Sequence, residues 1–224
     1  MISRPQLARM IDHSILNPSA TYDEVKKGCR EALQYGFAAV VVNPYHVPIV
    51  ARELKNSSVR VCSVISFPFG LSKTITKVHE TRTALDEGAQ EIDMVMNFSA
   101  LKSGDPQFVR SDIKSVAQEA RQSSAKIPVK VILENCYLTD DEKRQACRLV
   151  VQAGADYVKT STGFGKSGAT IEDVRLMREV VGPEFGVKAA GGIRTIQQAL
   201  QMIEAGANRI GASASVSIVE SLKP

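Results

Sequence analysis

The sequence predicts an α/β fold, a closed (β/α)8 TIM barrel, and three observations predict it. First, a helical stretch that ends at glycine is followed within a few residues by an apolar strand, and this device recurs. The clearest copies are Gly36-Phe37-Ala38-Ala39-Val40, Gly88-Ala89-Gln90-Glu91-Ile92, Gly154-Ala155-Asp156-Tyr157-Val158 and Gly206-Ala207-Asn208-Arg209-Ile210. Glycine just past a helix end takes the left-handed cap at little cost, and helix followed by strand at this rhythm means βαβ units and a parallel sheet. Second, eight strand candidates fit into 224 residues, the later ones at intervals of about 30 residues, the length of one βα unit. Third, no Gly-x-Gly-x-x-Gly turn follows the first strand, which argues against an open doubly wound sheet.

Each element follows in order. A short helical segment precedes the first strand, Arg9–His13. Thr21-Tyr22-Asp23-Glu24 is a capping box, and Val25, Cys29, Ala32 and Leu33 continue it as an apolar stripe. The next three strands are Ala38–Val42, Val59–Ile65 and Glu91–Asn97. Asp105-Pro106 sets a cap and then proline at the first helical position. Strand five is Val129–Glu134, followed by a capping box at Thr139–Glu142 and a stripe of Leu149, Val150 and Ala153. Strands six and seven are Tyr157–Ser161 and Val187–Ala190. A last box, Thr195–Gln198, opens a helix whose stripe is continued by Leu200 and Ile203, and strand eight is Arg209–Ala212. Nothing reads as a linker or a low-complexity tract, so residues 1–224 are expected to form a single barrel domain.

Bulk properties exclude several roles. Hydrophobic residues make up 44% of the chain, enough to bury a core. The net charge is +4 without a basic cluster, aromatics are 5% and Trp is absent, so a nucleic-acid surface has little to be built from. The first twenty residues carry Arg4, Arg9 and Asp12 and no long apolar run, and no stretch approaches a membrane span. Cys29, Cys62, Cys136 and Cys147 are scattered with no Cys-x-x-Cys pair, which reads as four small buried side chains in a reduced, cytoplasmic protein. The three histidines, His13, His46 and His79, show no metal-ligand spacing; His46 and His79 read as surface residues, and His13 as a strand-end residue with two readings, a place near the site or ordinary packing or hydrogen bonding.

The chemistry lies in the strands. Residues i and i+2 share a face. In Val129-Lys130-Val131-Ile132-Leu133-Glu134 the odd positions are apolar, and Lys130 and Glu134 share the other face. Asp93 with Asn97, Lys159 with Tyr157 and Ser161, and Lys188 repeat the pattern on their own strands. Four successive strands therefore point a charge toward the barrel interior, near the C-terminal mouth where such barrels hold their active sites. Two neighbouring lysines repel, and the desolvated one loses its proton more readily. A neutral amine attacks a carbonyl to give a Schiff base, and an aspartate and an ammonium nearby can shuttle protons. This set of parts describes a class I aldolase. Three glycine-bearing loops follow late strands, at Gly163–Gly168, Gly191–Arg194 and Gly211–Ser215. Backbone N–H groups at such loops and helix starts suit a phosphate.

Tyr157-Val158-Lys159-Thr160-Ser161-Thr162-Gly163-Phe164, Val187-Lys188-Ala189-Ala190-Gly191-Gly192-Ile193-Arg194 and Glu91-Ile92-Asp93-Met94-Val95-Met96-Asn97 resemble the signatures of the deoxyribose-phosphate aldolase family. Ile11–Leu16, Val42-Asn43-Pro44, Phe67–Gly70 and Lys130–Glu134 match as well, so the resemblance runs from Asp12 through Ser213. It implies a lyase of carbohydrate degradation that reversibly cleaves 2-deoxy-D-ribose 5-phosphate to D-glyceraldehyde 3-phosphate and acetaldehyde. By position, Lys159 is the Schiff-base lysine, Lys188 lowers its pKa and helps in proton transfer, and Asp93 relays the proton through water. Asp12 and Lys130 support them, and Gly163, Gly191, Gly192, Gly211 and Ser213 hold the phosphate. The resemblance implies no cofactor and no metal, and a homodimer or higher homo-oligomer; the composition already argues for no nucleic-acid and no membrane partner. Three departures stand out: Val41 where some members carry cysteine, Ala214 where a second serine is often found, and an end at Pro224 without the tyrosine-bearing tail of some members. The competing readings are a Schiff-base aldolase for another phosphosugar and a non-catalytic phosphosugar-binding barrel.

Overall fold

The computed structural model describes residues 2–123 and 127–222. Eight strands, β1 (Ile11–Ile15), β2 (Ala39–Val42), β3 (Arg60–Ile65), β4 (Glu91–Val95), β5 (Val129–Ile132), β6 (Tyr157–Lys159), β7 (Gly186–Ala190) and β8 (Arg209–Ala212), pair in parallel and close β8 onto β1. The helices between them are α1 (Arg4–Ala8), α2 (Tyr22–Tyr35), α3 (Val47–Glu53), α4 (Thr74–Asp86), α5 (Phe98–Lys102), α6 (Pro106–Ser123), α7 (Asp140–Ala153), α8 (Ile171–Val181), α9 (Ile196–Glu204) and α10 (Ser215–Glu220).

Local signals account for the boundaries. The capping boxes at Thr21, Thr139 and Thr195 all form, and Asp105 accepts the Phe108 N–H at 2.9 Å to start α6. Gly36 and Gly154 close α2 and α7 in the left-handed conformation. The first strand begins at Ile11 and not at Arg9, because Ser3 and Gln6 form a further capping box and Pro5 sits in the first turn, so α1 runs to Ala8 and Arg9 caps it. Strands four, five and six are shorter than the sequence predicts. Asn97 turns to cap α5 by accepting the Ala100 N–H at 2.9 Å, and Glu134 takes a left-handed backbone (φ 55°) that ends the ladder at Ile132.

Two apolar layers result. Outward residues Val40, Val61, Ile92, Val131, Val158, Val187 and Ile210 are buried against the helices in one core. Inside the barrel a small separate cluster, Ala39, Val41, Cys62 and Val64, fills the β2–β3 side. The interior positions of β1 and β4–β8 carry charge instead: Asp12, Glu91, Asp93, Lys130, Lys159, Lys188 and Arg209. His13 alternates with Asp12 and faces out, stacked on Phe37 and 3.4 Å from Glu31. His79 is exposed as expected, but His46 is buried beside the rings of Tyr22 and Tyr45. Cys29, Cys62 and Cys147 are buried, whereas Cys136 is only half-buried. Among the described residues no helix is long and apolar enough to cross a membrane.

Candidate active site

Strand alternation brings Asp93, Lys130, Lys159 and Lys188 together inside the barrel, as the sequence predicts, and Asp12 joins them from β1. All five are buried. Asp93 is the hub. Its Oδ1 accepts Lys130 Nζ at 2.7 Å, and its Oδ2 accepts both Lys159 Nζ and Lys188 Nζ at 2.7 Å. Lys188 also donates to Asp12 Oδ2, whose other oxygen accepts Arg209 at 2.9 Å.

Charge then sorts the three lysines. Burial depresses any ammonium, and only strong anionic contact reverses it. For Lys130, the Asp93 and Glu91 carboxylates outweigh burial and hold the amine well above its ordinary value. For Lys188, Asp12 and Asp93 outweigh burial and the repulsion of Lys130, and the amine is raised above its ordinary value. For Lys159 burial wins over the single contact with Asp93, and Lys188 pushes the same way, so its amine is held below its ordinary value. Asp93 is itself pressed upward by burial, but three lysines outweigh this and keep it ionised far below its ordinary range. Burial and the neighbouring cation thus lower one lysine of the three, and carboxylate contacts raise the other two.

Lys159 is also the one that meets open space. It lines a cleft of about 520 Å³ with Thr162, Gly163, Phe164, Ala190, Gly191, Gly192, Arg194, Gly211 and Ser213 on one side and Ser14 to Pro18 on the other. All five residues expected to hold phosphate are on its wall. Close approach of backbone shapes that wall. A Cβ on Gly168 would lie 2.1 Å from the Gly191 carbonyl oxygen, and Gly191 itself has φ +90°. Ala214 stands at the N-cap of α10 and offers no side-chain acceptor to its first N–H groups. A groove of about 570 Å³ between α6 and α7 carries mixed surface charge, with Arg110, Arg148, Asp141 and Glu142, and none of the converging groups.

Three site residues, Cys62, Glu91 and Arg209, escape the sequence reading, and a fourth, Glu134, is misplaced by it. Cys62 donates to Asp93 Oδ1 at 3.3 Å and receives Lys130 at 3.5 Å, but a thiol reads as one more apolar side chain. Glu91 and Arg209 meet at 3.7 Å below the lysines; two charges at i and i+2 in Glu91-Ile92-Asp93 were the available signal. Glu134 does not point beside Lys130. It leaves the strand and accepts the N–H and hydroxyl of Thr162, tying down the loop that leads to Phe164. Burial pushes its carboxyl up.

A family model described as DeoC/LacD family aldolase matches residues 7–218. A deoxyribose-phosphate aldolase of Thermococcus gammatolerans is 59% identical over 216 residues, covering 96% of this chain and 95% of that protein. One from Thermococcus kodakarensis is 57% identical, covering 98% of each. Among solved structures, the tetrameric deoxyribose phosphate aldolase of Aeropyrum pernix superposes with a TM-score of 0.91 at 35% identity, covering 98% of this chain and 92% of that one.

Proposed function

The chain belongs to the DeoC/LacD family of aldolases, and from that premise we propose that it reversibly cleaves 2-deoxy-D-ribose 5-phosphate to D-glyceraldehyde 3-phosphate and acetaldehyde, with Lys159 as the Schiff-base lysine. The observation that carries the reading is the asymmetry among the three lysines inside the barrel: of Lys130, Lys159 and Lys188, Lys159 alone is depressed, and it alone lines the cleft.

The steps follow from the groups at hand. The neutral Lys159 amine adds to the C1 aldehyde of the open-chain sugar, and the carbinolamine loses water to give an iminium. Asp93, through a bridging water, takes the proton of the C3 hydroxyl. The C3 oxygen becomes a carbonyl as the C2–C3 bond breaks, and the bonding pair passes into the iminium to give an enamine. Glyceraldehyde 3-phosphate leaves. Lys188, which is held charged by Asp12 and Asp93, supplies the proton that returns to C2, and water releases acetaldehyde and the free amine. Lys130 and Asp12 hold Asp93 and Lys188 in place.

The wall formed by Gly163, Gly191, Gly192, Gly211 and Ser213 takes the phosphate through backbone N–H groups, with the uncapped start of α10 beside it. We read residues 1–224 as one catalytic barrel, cytoplasmic in location. The tetramer described for the Aeropyrum pernix protein supports a homodimer or higher homo-oligomer here.

Borohydride trapping tests the reading. The protein is incubated with deoxyribose 5-phosphate, reduced, digested and examined by mass spectrometry. An adduct on Lys159 is expected. An adduct elsewhere, or none with this sugar or a panel of other phosphosugars, would overturn it.

A further inference from the structure

Arg209 is the first residue of β8, Glu91 the first of β4 and Tyr157 the first of β6. Their side chains meet inside the N-terminal end of the barrel. The Arg209 guanidinium lies 5.9 Å from the centre of the Tyr157 ring and 3.7 Å from Glu91 Oε1. Gly186 of β7 leaves the room, since a Cβ there would stand 2.2 Å from that ring. None of these residues reaches the cleft.

Two lines of contact climb from this floor to Asp93. One is Arg209 to Asp12 at 2.9 Å, Asp12 to Lys188, and Lys188 to Asp93 Oδ2 at 2.7 Å. The other is Glu91 to Lys130 at 2.7 Å and Lys130 to Asp93 Oδ1 at 2.7 Å. Both end on the carboxylate that touches Lys159. One line begins with a cation and the other with an anion.

We propose that Arg209 and Glu91 are positioning residues that set, with opposite signs, the pH at which Lys159 becomes a free amine. The proposal rests on the Schiff-base reading above. The charges in mutual contact are three carboxylates, Asp12, Glu91 and Asp93, against four cations, Lys130, Lys159, Lys188 and Arg209. One positive charge is in excess, and Lys159 is the member that can shed it. Without the Arg209 charge the set balances with Lys159 protonated. Asp12 then holds Lys188 more tightly, and Asp93 is left freer to hold Lys159. Without the Glu91 charge the excess grows, Lys130 draws more on Asp93, and Lys159 releases its proton sooner.

The other groups facing this set do not alter the sign. Arg60 of β3 approaches Glu91 at 3.7 Å, but its side chain is half exposed to solvent. Cys62 of β3 touches Asp93 and Lys130, and burial keeps its thiol protonated. Glu134, beyond β5, is close enough to interact with Lys159, but burial pushes its carboxyl up, it is bonded to Thr162, and it makes no ion pair with Arg209 or Glu91, so it is common to every variant. Strand β2 contributes Ala39 and Val41.

The test is the rate of borohydride-trapped adduct at Lys159 as a function of pH, with acetaldehyde as probe so that phosphate binding does not enter. Circular dichroism checks folding. Arg209→Gln is expected to move the midpoint to higher pH by on the order of one unit, and Glu91→Gln to lower pH by a similar amount. Arg209→Lys keeps the charge and is expected to stay near the wild-type midpoint. An unchanged midpoint in either glutamine variant, or a shift of both in one direction, would overturn the proposal. If Arg209→Gln does not fold, Glu91→Gln and Arg209→Lys each decide by their own midpoint. A wild-type protein that forms no adduct at any pH would instead overturn the Schiff-base reading, and this proposal with it.

Discussion

Lys159 and Lys188 share one oxygen: both ammonium nitrogens lie 2.7 Å from Asp93 Oδ2. Two cations on one acceptor in a dry interior repel strongly, and the repulsion is relieved when one of them gives up its proton. Lys188 is bonded to Asp12 as a second carboxylate, whereas Lys159 is bonded to Asp93 alone. Of the two ammonium groups, that of Lys159 is therefore the one held below its ordinary value.

Replacing Lys159 by Ala removes the nucleophile. The borohydride adduct is expected to vanish, and kcat/KM to fall on the order of 10³-fold or more, with the fold retained. An adduct on another lysine in the variant would show that the amine had been assigned to the wrong strand.

Lys188→Met removes the repelling neighbour. Lys159 is then held protonated to higher pH, and since only the neutral amine attacks, the rising limb of the pH–rate profile moves to higher pH. A shift of about one unit would cost about ten-fold at neutral pH through ionisation alone, and raising the pH would recover that part. A uniform loss at every pH would mean that Lys188 acts only in proton transfer.

Asp93→Asn leaves Lys130, Lys159 and Lys188 around a neutral amide. Removing one partner of a buried ionic cluster costs about 3–5 kcal/mol, read as a lower urea midpoint near pH 7. The pH dependence has a definite sign. The folded-state value of Asp93 is well below its ordinary 3.8, so its stabilisation is fully present above the unfolded value and is lost as pH falls through the folded one. The gap between wild type and variant should be constant near neutrality and close only in strong acid. A gap that closed near pH 6 would point to a different group.

Period-two alternation made Asp93, Lys130, Lys159 and Lys188 legible in the sequence, because a charge among apolar neighbours on a strand has only the interior to face. The floor was less legible. Glu91 and Arg209 open their strands, where a charge also reads as a solvated strand start. The ends of β4 and β5 were overrun because Met96 and Leu133 stay buried and still donate to Ile132 and Lys159 of the neighbouring strands, so both the apolar pattern and the hydrogen bonding run on to the turns at Asn97 and Glu134. The turn of Glu134 toward Thr162 depends on a left-handed backbone at a glutamate, which no local residue preference signals. His46 is covered by Tyr22 of α2 and by Tyr45 beside it, and the first contact is made only by tertiary packing.

A buried lysine need not be catalytic, and Lys77 supplies the contrast. It pairs with Asp112 at 2.6 Å and donates to the Val95 carbonyl at 3.1 Å, joining α4, α6 and the end of β4 outside the barrel. Lys77→Met is expected to cost about 3–5 kcal/mol by stranding Asp112, and Lys77→Met with Asp112→Leu to recover much of it. Neither variant should move the pH midpoint of adduct formation. A moved midpoint would make this pair part of the catalytic charge set.

The phosphate wall can be separated from the amine. Gly191 has φ +90°, a region costly to a residue with a side chain, and a Cβ there would approach Gly168 Cα at 3.0 Å and Ser161 Cβ at 3.2 Å. Gly191→Ala should therefore shift the 163–168 and 191–194 loops without touching Asp93 or the lysines. With deoxyribose 5-phosphate, KM is expected to rise by roughly ten-fold or more, the loss of one or two charge-assisted N–H contacts. With the phosphate-free sugar deoxyribose, kcat/KM should change little, because that substrate never used the wall. Equal losses on both sugars would mean that the loop orients the reacting carbons and not the phosphate. The backbone donors would then have to be sought among Ser213 and the first turn of α10.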